Sequence, residues 1–361
     1  MLIVGGTGVV GRAIAHDLLR YTPYKVAVAS RSESRAKAVA FDLGPRAEHR
    51  VVQWGAEGAV RALLEGVSVA VLAAGPYRKM APSLAAACVR ERLSYLDLSD
   101  NREFTARVLD LSPEARRARV TLVSGAGLFP GLASVMVRMA AERLDLPEQA
   151  RVIYAVRGAA SSGPASMRTA LASIGRPFTM LVDERWQGYT TFDEPETVEL
   201  PAPFGRTRVY AFEFAGLNTL AATFGLKTVK TKLGVVPDVL NRVGRILGRT
   251  LPKPLLTEGA FMNFVVGPAG RLSAWGARKG RGAVAIQVEV EGRKGDENRT
   301  ERLHVIHPSA VGAAAASAGA AATRLIEGAI TEVGAQPPER AIPVERYLAE
   351  LARRGVHVIV D

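Results

Sequence analysis

The feature that most constrains the fold is a glycine-rich segment near the start of the chain. Gly6-Thr7-Gly8-Val9-Val10-Gly11 matches the pattern G-x-G-x-x-G, and it lies between the apolar run Leu2–Val4 and a helical pattern. Such glycines permit a tight turn, a close approach of the backbone to a pyrophosphate, and tight helix–strand packing. The amides and positive dipole end of the helix then attract phosphate. These six residues therefore predict a dinucleotide-binding site.

Strand and helix patterns alternate from this segment to about Gly131. The continuous apolar run Val67–Ala73 is typical of a parallel strand buried on both faces. The alternation predicts an α/β fold with a Rossmann-type, doubly wound parallel sheet.

The pattern changes in the middle of the chain. Val284–Glu291 alternates apolar with small or polar residues, the turn-rich link Gly292–Asn298 follows, and Thr300–Ile306 returns. This order predicts an antiparallel hairpin in an α+β region built on a mostly antiparallel sheet. The small-residue-rich stretch Ala310–Gly328 is predicted to be helical.

The end of the second predicted strand indicates which dinucleotide binds. Sites for NAD(H) usually place Asp or Glu there, whereas this chain has Ser30-Arg31-Ser32 about twenty residues after the last motif glycine. A guanidinium flanked by hydroxyls suits a ribose 2′-phosphate, and Arg35 or Lys37 could add charge. Two alternatives remain open, because Arg31 could be a solvated loop residue and Glu33 could serve a ribose. The sequence favours NADP(H) over NAD(H).

Two further loops follow predicted strands. Ala74-Gly75-Pro76 continues the buried strand Val67–Ala73, and we expect it to line the cofactor because ligands of open α/β sheets lie beyond the carboxyl ends of strands. Tyr77 could stack or donate a hydrogen bond near the nicotinamide, and Arg78 could bind a substrate carboxylate. An ordinary Gly-Pro turn with surface charges is the alternative.

The next strand ends at Asp97, which alternates with apolar neighbours and is expected to point inward. It is a candidate catalytic residue on the substrate side, although a structural anchor would show the same pattern. The glycine-rich loop Ser124–Gly131 then closes the nucleotide domain, and Gly127 is predicted to form part of a wall beside the nicotinamide.

The net charge of the chain limits the classes of molecule that we expect it to bind. The net charge of +12 indicates an anionic partner. The charge is spread along the chain, and the sequence shows neither zinc-finger spacing nor basic residues interleaved with aromatic ones, so we expect no nucleic acid.

The histidines and the cysteine indicate the metal content and the compartment. The five histidines show no metal-binding spacing, so we expect no metal. Cys88 is the one cysteine, which is typical of a reducing, cytoplasmic compartment. We also expect no signal peptide, because Met1 leads directly into an apolar strand.

A basic segment at residues 227–253 is predicted to include an amphipathic helix, with Val239, Val243 and Ile246 among its apolar positions. It could be a lid, a peripheral membrane contact or an ordinary solvated surface.

Four segments together resemble the saccharopine dehydrogenase (saccharopine reductase-like) family. They are G-G-T-G-V-V-G at Gly5–Gly11, A-A-G-P-Y-R at Ala73–Arg78, Y-L-D-L-S-D at Tyr95–Asp100 and G-A-G-L-F-P-G-L-A-S at Gly125–Ser134. The stretch from Pro337 to Gly355 resembles the end of that family's chains. The resemblance implies an NAD(P)-dependent oxidoreductase, often acting at a C–N bond through an imine, and a homodimer formed through the inserted sheet. It also implies a Rossmann domain at 1–131, an inserted α+β domain at 132–308, and a return to the first domain at 309–361.

One departure from the family changes the expected substrate. Saccharopine-forming members carry acidic residues on both sides of the glycine that corresponds to Gly127, where this chain has Ala126 and Phe129. An amino-acid ammonium would lack its partners there. The sequence therefore favours another small molecule, with hydride transfer at an imine, amine or carbonyl carbon. The alternative is a non-catalytic NADP(H) sensor or a protein associated with a lipid surface.

Overall fold

A computed structural model describes residues 1–53, 58–158, 173–250 and 282–361. By its internal contacts the chain divides into two compact units, and each is described separately. The first unit comprises Met1–Val135 and Gly312–Gly355, and the second comprises Met136–Val311 and Val356–Asp361.

The first unit is built on a seven-stranded parallel sheet. Its strands are β1 (Leu2–Val4), β2 (Val26–Ser30), β3 (Ala47–Val51), β4 (Val69–Leu72), β5 (Ser94–Asp97), β6 (Thr121–Val123) and β15 (Gly334–Gln336). Their order is β15-β6-β5-β4-β1-β2-β3, which contains the Rossmann order 3-2-1-4-5-6. The predicted α/β, doubly wound sheet is confirmed. The strand order reverses between β1 and β4, the position where such sheets bind ligands.

Burial explains why these segments form parallel strands. Every residue of β1 and β4 is buried, as expected where helices cover both faces of a sheet.

The α-helices of the two units are numbered in chain order over the described residues. They are α1 (Val9–Tyr21), α2 (Glu33–Leu43), α3 (Ala59–Leu64), α4 (Ser83–Arg90), α5 (Arg102–Leu109), α6 (Ser112–Ala118), α7 (Ala133–Ala141), α8 (Leu217–Phe224), α9 (Val239–Thr250), α10 (Ala310–Ile326), α11 (Pro338–Ala341) and α12 (Val344–Arg353).

The second unit is built on a nine-stranded sheet. Its strands are β7 (Leu146–Arg157), β8 (Pro177–Val182), β9 (Arg185–Thr190), β10 (Glu196–Leu200), β11 (Gly205–Ala211), β12 (Thr228–Val236), β13 (Ala283–Lys294), β14 (Glu297–His307) and β16 (Ile359–Val360). The main order is β10-β11-β12-β7-β13-β14-β16, while β8 pairs with β12 and β9. Among the described strand pairs of this second sheet, β12–β7 is parallel and the others are antiparallel. The predicted, mostly antiparallel sheet is confirmed.

Two local features differ from what the sequence pattern predicts. The hairpin strands continue through the predicted link Gly292–Asn298 until Lys294 pairs with Glu297, because Gly295 supplies the positive φ of a tight turn. The sequence also predicts a third strand at Val51–Trp54, whereas the structure has β3 at Ala47–Val51, since an exposed edge strand lacks an apolar run. Trp54 lies outside the described residues.

The predicted return of residues 309–361 to the first domain needs one amendment. Residues 312–355 belong to the first unit, whereas Val356–Asp361 belong to the second. The cause is strand pairing, because β16 adds to the edge of β14 through Val360 and Ile359.

Candidate functional site

The glycine segment forms a turn that leaves no room for side chains. The Gly8 amide donates to the Gly5 carbonyl over 2.9 Å, and Gly5 has φ +87°. A Cβ on Gly11 would lie 2.2 Å from the Gly5 oxygen, and one on Gly6 would lie 2.8 Å from Val28. Helix α1 begins at Val9 without a side-chain cap at Gly8, and both residues are exposed. This backbone cradle at an uncapped helix N-terminus fits a dinucleotide pyrophosphate.

The end of β2 lies beside this turn. The Gly5 amide donates to the Ala29 carbonyl over 3.0 Å, and the Thr7 hydroxyl donates to Ser30 over 3.2 Å. The structure therefore brings Ser30-Arg31-Ser32 next to the glycine segment, with the Arg31 side chain exposed.

Charged side chains of both signs follow the end of β2. Glu33, the carboxylate that could serve a ribose, forms a 2.8 Å ion pair with Lys37. Ser32 caps helix α2 by accepting from the Arg35 amide over 3.4 Å. Among the described residues, Arg31 and Arg35 form no ion pair. Two exposed guanidinium groups thus remain for an anion at the end of β2.

The end of β4 completes the edge. The Ala73 amide donates to the Val4 carbonyl over 2.8 Å, and a Cβ on Gly5 would lie 2.7 Å from the Ala74 nitrogen. The next two residues, Gly75 and Pro76, are exposed. The three segments predicted to hold the cofactor are therefore neighbours at the carboxyl edge of β1, β2 and β4.

Tyr77 follows the end of β4 and has a buried side chain. Its ring lies against Phe104, with ring centroids 5.1 Å apart. The hydroxyl donates to the Leu72 carbonyl over 2.7 Å and accepts from the Leu98 amide over 3.2 Å. Burial, with a smaller effect of Asp97, raises the pKa of Tyr77 well above its usual value. The hydroxyl therefore ties the ends of β4 and β5 together, and the predicted contact with substrate stays a prediction.

Asp97 points inward at the end of β5, as the sequence predicts, and its catalytic role stays a prediction. Its side chain is fully buried, and one carboxylate oxygen accepts from the Ser99 and Gly125 amides, each over 2.8 Å. The other carboxylate oxygen and the hydroxyl groups of Tyr95 and Ser124 are buried as well. None of these three groups has a neighbour among the described residues that meets both the distance and the angle of a hydrogen bond. Burial raises the pKa of Asp97 to about 6, although the two amides and two hydroxyls favour its ionised form.

Ser317 and Tyr347, which sequence reasoning did not identify, hold the last glycine loop. The Ser317 hydroxyl donates to the Gly127 carbonyl over 2.7 Å and lies 2.6 Å from the Tyr347 hydroxyl, and both side chains are buried. Neither residue has a local motif, since Ser317 lies in an alanine-rich helix 190 positions after Gly127. Together with Asp97, they fix the loop from two sides.

A second long-range anchor holds the helix that follows the glycine segment. Asp17 of α1 forms a buried 3.0 Å ion pair with Arg354, whose guanidinium also donates to Thr323 over 3.2 Å and pairs with Glu350. Gly319 is required there, because a Cβ would lie 2.0 Å from an Asp17 carboxylate oxygen. Residues near the end of the chain thus position α1.

The remaining predicted substrate residue is Arg78. Its side chain is exposed just after β4, as a clamp for a substrate carboxylate requires. That role stays a prediction.

The basic segment at residues 227–253 is not one helix. Residues 228–236 form strand β12, where the buried Lys232 ammonium donates to the Glu194 carbonyl over 3.1 Å, and α9 follows. Arg242 and Arg245 pair with Asp238 and Asp193 at 2.7 and 3.5 Å. Val239, Val243 and Ile246 of α9 are exposed, and so is Arg242. The lid, membrane-contact and ordinary-surface alternatives stay predictions, and residues 251–253 lie outside the described residues.

In the described part of the chain, no helix combines the length and apolarity needed to cross a bilayer. The same residues contain no cluster of three or more His, Cys, Asp or Glu side chains that could hold a metal ion.

Sequence and structure comparisons agree with this geometry. Residues 1–123 match the model of the saccharopine dehydrogenase NADP binding domain. A trans-acting enoyl reductase of Mycobacterium leprae (strain TN) is 29% identical over 137 residues, which are 36% of this chain and 33% of that protein. The match therefore spans about a third of the relative's length.

Two solved structures share the whole architecture. Saccharopine dehydrogenase (L-Glu forming) from Saccharomyces cerevisiae is 12% identical and superposes with a TM-score of 0.75, covering 100% of this chain and 98% of that chain. An engineered D-amino acid dehydrogenase bound to NADP+ is 15% identical, with a TM-score of 0.51 and coverage of 97% and 94%. At these identities the likeness shows the fold alone. Residues 1–123 therefore match the saccharopine dehydrogenase NADP binding domain, and the chain has the fold of saccharopine dehydrogenase.

Proposed function

We propose that the protein is an oxidoreductase that uses NADP(H) in preference to NAD(H). The observation that carries this proposal is the meeting of the glycine cradle with Ser30-Arg31-Ser32 at one edge of the sheet. The cradle suits the pyrophosphate, and exposed Arg31 and Arg35 suit the 2′-phosphate. The family model, named for NADP binding, supports the same preference.

The cofactor supplies the redox chemistry, and the protein supplies orientation. When bound, NADPH provides a hydride for an electron-poor carbon of the substrate, and water provides the matching proton. The chain's own residues hold the reacting edge in shape. Tyr77 ties the ends of β4 and β5, while Asp97 ties β5 to the loop after β6. A rigid edge lowers the cost of aligning the two reactants.

Two substrate chemistries are compatible with this arrangement. The first is hydride transfer at an imine, amine or carbonyl carbon, as the fold of saccharopine dehydrogenase suggests. The second is reduction of an activated C=C bond, and the match to a trans-acting enoyl reductase favours it. In that case NADPH, held by the glycine cradle and Arg31, would supply a hydride to the β-carbon and become NADP+, and a proton from solvent would be needed at the α-carbon to leave a single bond.

The cofactor proposal is tested by Arg31→Asp, with NADPH and NADH affinities measured by calorimetry. Loss of a charge-assisted hydrogen bond costs about 1.5–3 kcal/mol, so NADPH affinity should fall roughly 10- to 100-fold at low salt. NADH affinity should change much less, since NADH lacks the 2′-phosphate.

Lys25→Asp is the matched control. Lys25 precedes β2 at the opposite end of the strand, is exposed, and makes only a 3.7 Å surface pair with Glu48. It should leave both affinities unchanged. Unchanged NADPH affinity in Arg31→Asp would show that Arg31 does not bind the 2′-phosphate.

Turnover separates the enzyme from a non-catalytic NADP(H) sensor. We expect NADPH oxidation with at least one class of imine, ketone or enoyl thioester. Tight NADPH binding without turnover in any class would favour the sensor.

A further inference from the structure

Helix α9 presents a polar side to the rest of the second unit. Asn241 is fully buried, and its side-chain oxygen accepts from the Val235 amide over 3.1 Å while its side-chain nitrogen donates to the Val235 carbonyl over 2.8 Å. Arg245 lies four positions later, and therefore on the same side of the helix, where it is partly buried and pairs with Asp193. Polar contacts thus hold the inward side of α9.

The opposite side of the same helix is apolar and exposed. Val239 and Val243 lie four positions apart, so they share one side, and they are 57% and 47% exposed. Pro237, just before the helix, is exposed as well. A surface helix of a globular domain normally turns its apolar residues toward the core and its polar residues outward. Because α9 reverses this arrangement, its apolar side is a candidate contact surface for another molecule.

The charge beside this apolar side is mainly positive. Arg242 is exposed next to Val243, and its guanidinium pairs with Asp238 over 2.7 Å. Residues 238–253 of the sequence contain four Lys or Arg residues and one acid, Asp238, and the whole chain carries a net charge of +12. These charges complement an anionic surface.

An anionic bilayer matches both features at once. Its headgroups attract the cations, while the boundary between headgroups and acyl chains takes up apolar side chains. A second copy of the chain fits less well, because a symmetric contact through this surface would bring the two Arg242 side chains together. Helix α9 has 12 residues, or about 18 Å of helix, which is too short to cross a hydrocarbon core of about 30 Å. A helix of this length lies along a membrane surface.

We infer that α9 is a peripheral membrane contact, in which Val239 and Val243 enter the interface of an anionic bilayer. The contact is narrower than the basic segment at residues 227–253, because Lys232 is buried in β12 and pairs with Glu194. The inference is independent of the proposed oxidoreductase function, since no residue of the cofactor site takes part in it.

The test measures binding of the whole chain to sedimenting vesicles. One set of vesicles contains phosphatidylglycerol and phosphatidylcholine in equal parts, and the other contains phosphatidylcholine alone. The first variant combines Val239→Ser with Val243→Ser, which keeps a similar helix propensity. The second combines Val239→Leu with Val243→Leu, which adds one methylene at each position.

Val333→Ser is the matched control for the serine variant. Val333 is 43% exposed, and it lies in the first unit, away from α9 in the sequence. NADPH affinity, measured by calorimetry, and the melting temperature check that each variant is folded.

We expect the wild type to bind the anionic vesicles more tightly than phosphatidylcholine vesicles, with binding that weakens as salt rises. The double serine variant should need at least tenfold more anionic lipid for half-maximal binding, because two apolar side chains no longer become buried. The double leucine variant should need at least fourfold less, and Val333→Ser should match the wild type.

Two results would overturn the inference. The first is the absence of binding to anionic vesicles at low salt. The second is binding that is the same in the wild type and both double variants, since the attraction would then depend on net charge alone. Self-association of the wild type that is lost in the double serine variant, without vesicle binding, would assign this surface to a second copy of the chain instead.

Discussion

Two glycine-rich loops of the first unit are held by different means. The segment Gly5–Gly11 is shaped by its own backbone, as in the hydrogen bond from the Gly8 amide to the Gly5 carbonyl. The segment Ser124–Gly131 is shaped by side chains from elsewhere, namely Asp97, Ser317 and Tyr347. The difference shows that a glycine motif can encode a site locally, or can only make room for partners that the rest of the fold brings.

The largest effect should come from filling the local loop with Gly11→Ala. The new Cβ would overlap the Gly5 carbonyl oxygen at 2.2 Å. Neither atom can move away by a change of side-chain rotamer, because the Cβ is fixed by its own backbone and the oxygen is a backbone atom. We expect NADPH affinity to fall more than about 100-fold, and the free energy of unfolding to fall by about 3 kcal/mol. Calorimetry and urea unfolding measure the two changes.

Gly188→Ala is the control for this comparison. Gly188 lies in β9, has no positive φ, and a Cβ there would meet nothing within 4 Å. Normal NADPH affinity in Gly11→Ala would mean that the first loop does not depend on close backbone approach.

The next effect should come from removing the anchor of the second loop with Asp97→Ala. The Ser99 and Gly125 amides would lose their shared acceptor while buried. At about 1–3 kcal/mol for each of the two unpaired amides, the free energy of unfolding should fall by about 2–6 kcal/mol. Urea unfolding of Asp97→Asn provides the contrast, because an amide oxygen can still accept both bonds. Equal losses in both variants would contradict this anchoring.

The wild type and Asp97→Asn together allow a test of how Asp97 affects stability at different pH values. Burial raises the pKa of this carboxyl to about 6 from a usual value of 3.8, so the folded state holds its proton more tightly than the unfolded state. The proton that Asp97 binds therefore stabilises the folded state at low pH, and this stabilisation is lost as pH rises from about 4 to 6. The stability of the wild type relative to Asp97→Asn should fall across that window. A rise there would contradict the assigned direction.

The smallest effect should come from the distant partners of the second loop. Ser317→Ala leaves the Tyr347 hydroxyl without its partner, at a cost of about 1–3 kcal/mol, while the Gly127 carbonyl still accepts from the Leu132 amide over 2.9 Å. Tyr347→Phe keeps the Ser317 bond to Gly127 and should cost less. Urea unfolding ranks the two, and NADPH affinity should change far less than in Gly11→Ala. An equal loss of NADPH affinity would show that the two loops are not held independently.

Sequence reasoning succeeded where the structural signal is local. The glycine segment, the end of β2 and the alternating strand order each follow from neighbouring residues, and the structure places Gly5, Ser30 and Ala74 together as expected. Sequence reasoning did not reveal the hydrogen bond of Tyr77 to the Leu72 carbonyl, because a tyrosine after a strand looks the same whether its hydroxyl turns to a ligand or to the backbone. It also missed strand β12, which lies within the basic segment at residues 227–253.

The sequence alone determined the parallel sheet, its dinucleotide cradle and the positive end of β2. Turns and helix ends depend on hydrogen bonds between residues a few positions apart, so their code is readable in a short window. Tertiary structure alone decided that Ser317 would hold Gly127 across 190 residues and that Arg354 would hold Asp17. Those outcomes depend on which distant groups must satisfy one another once buried, and no short stretch of sequence contains both partners.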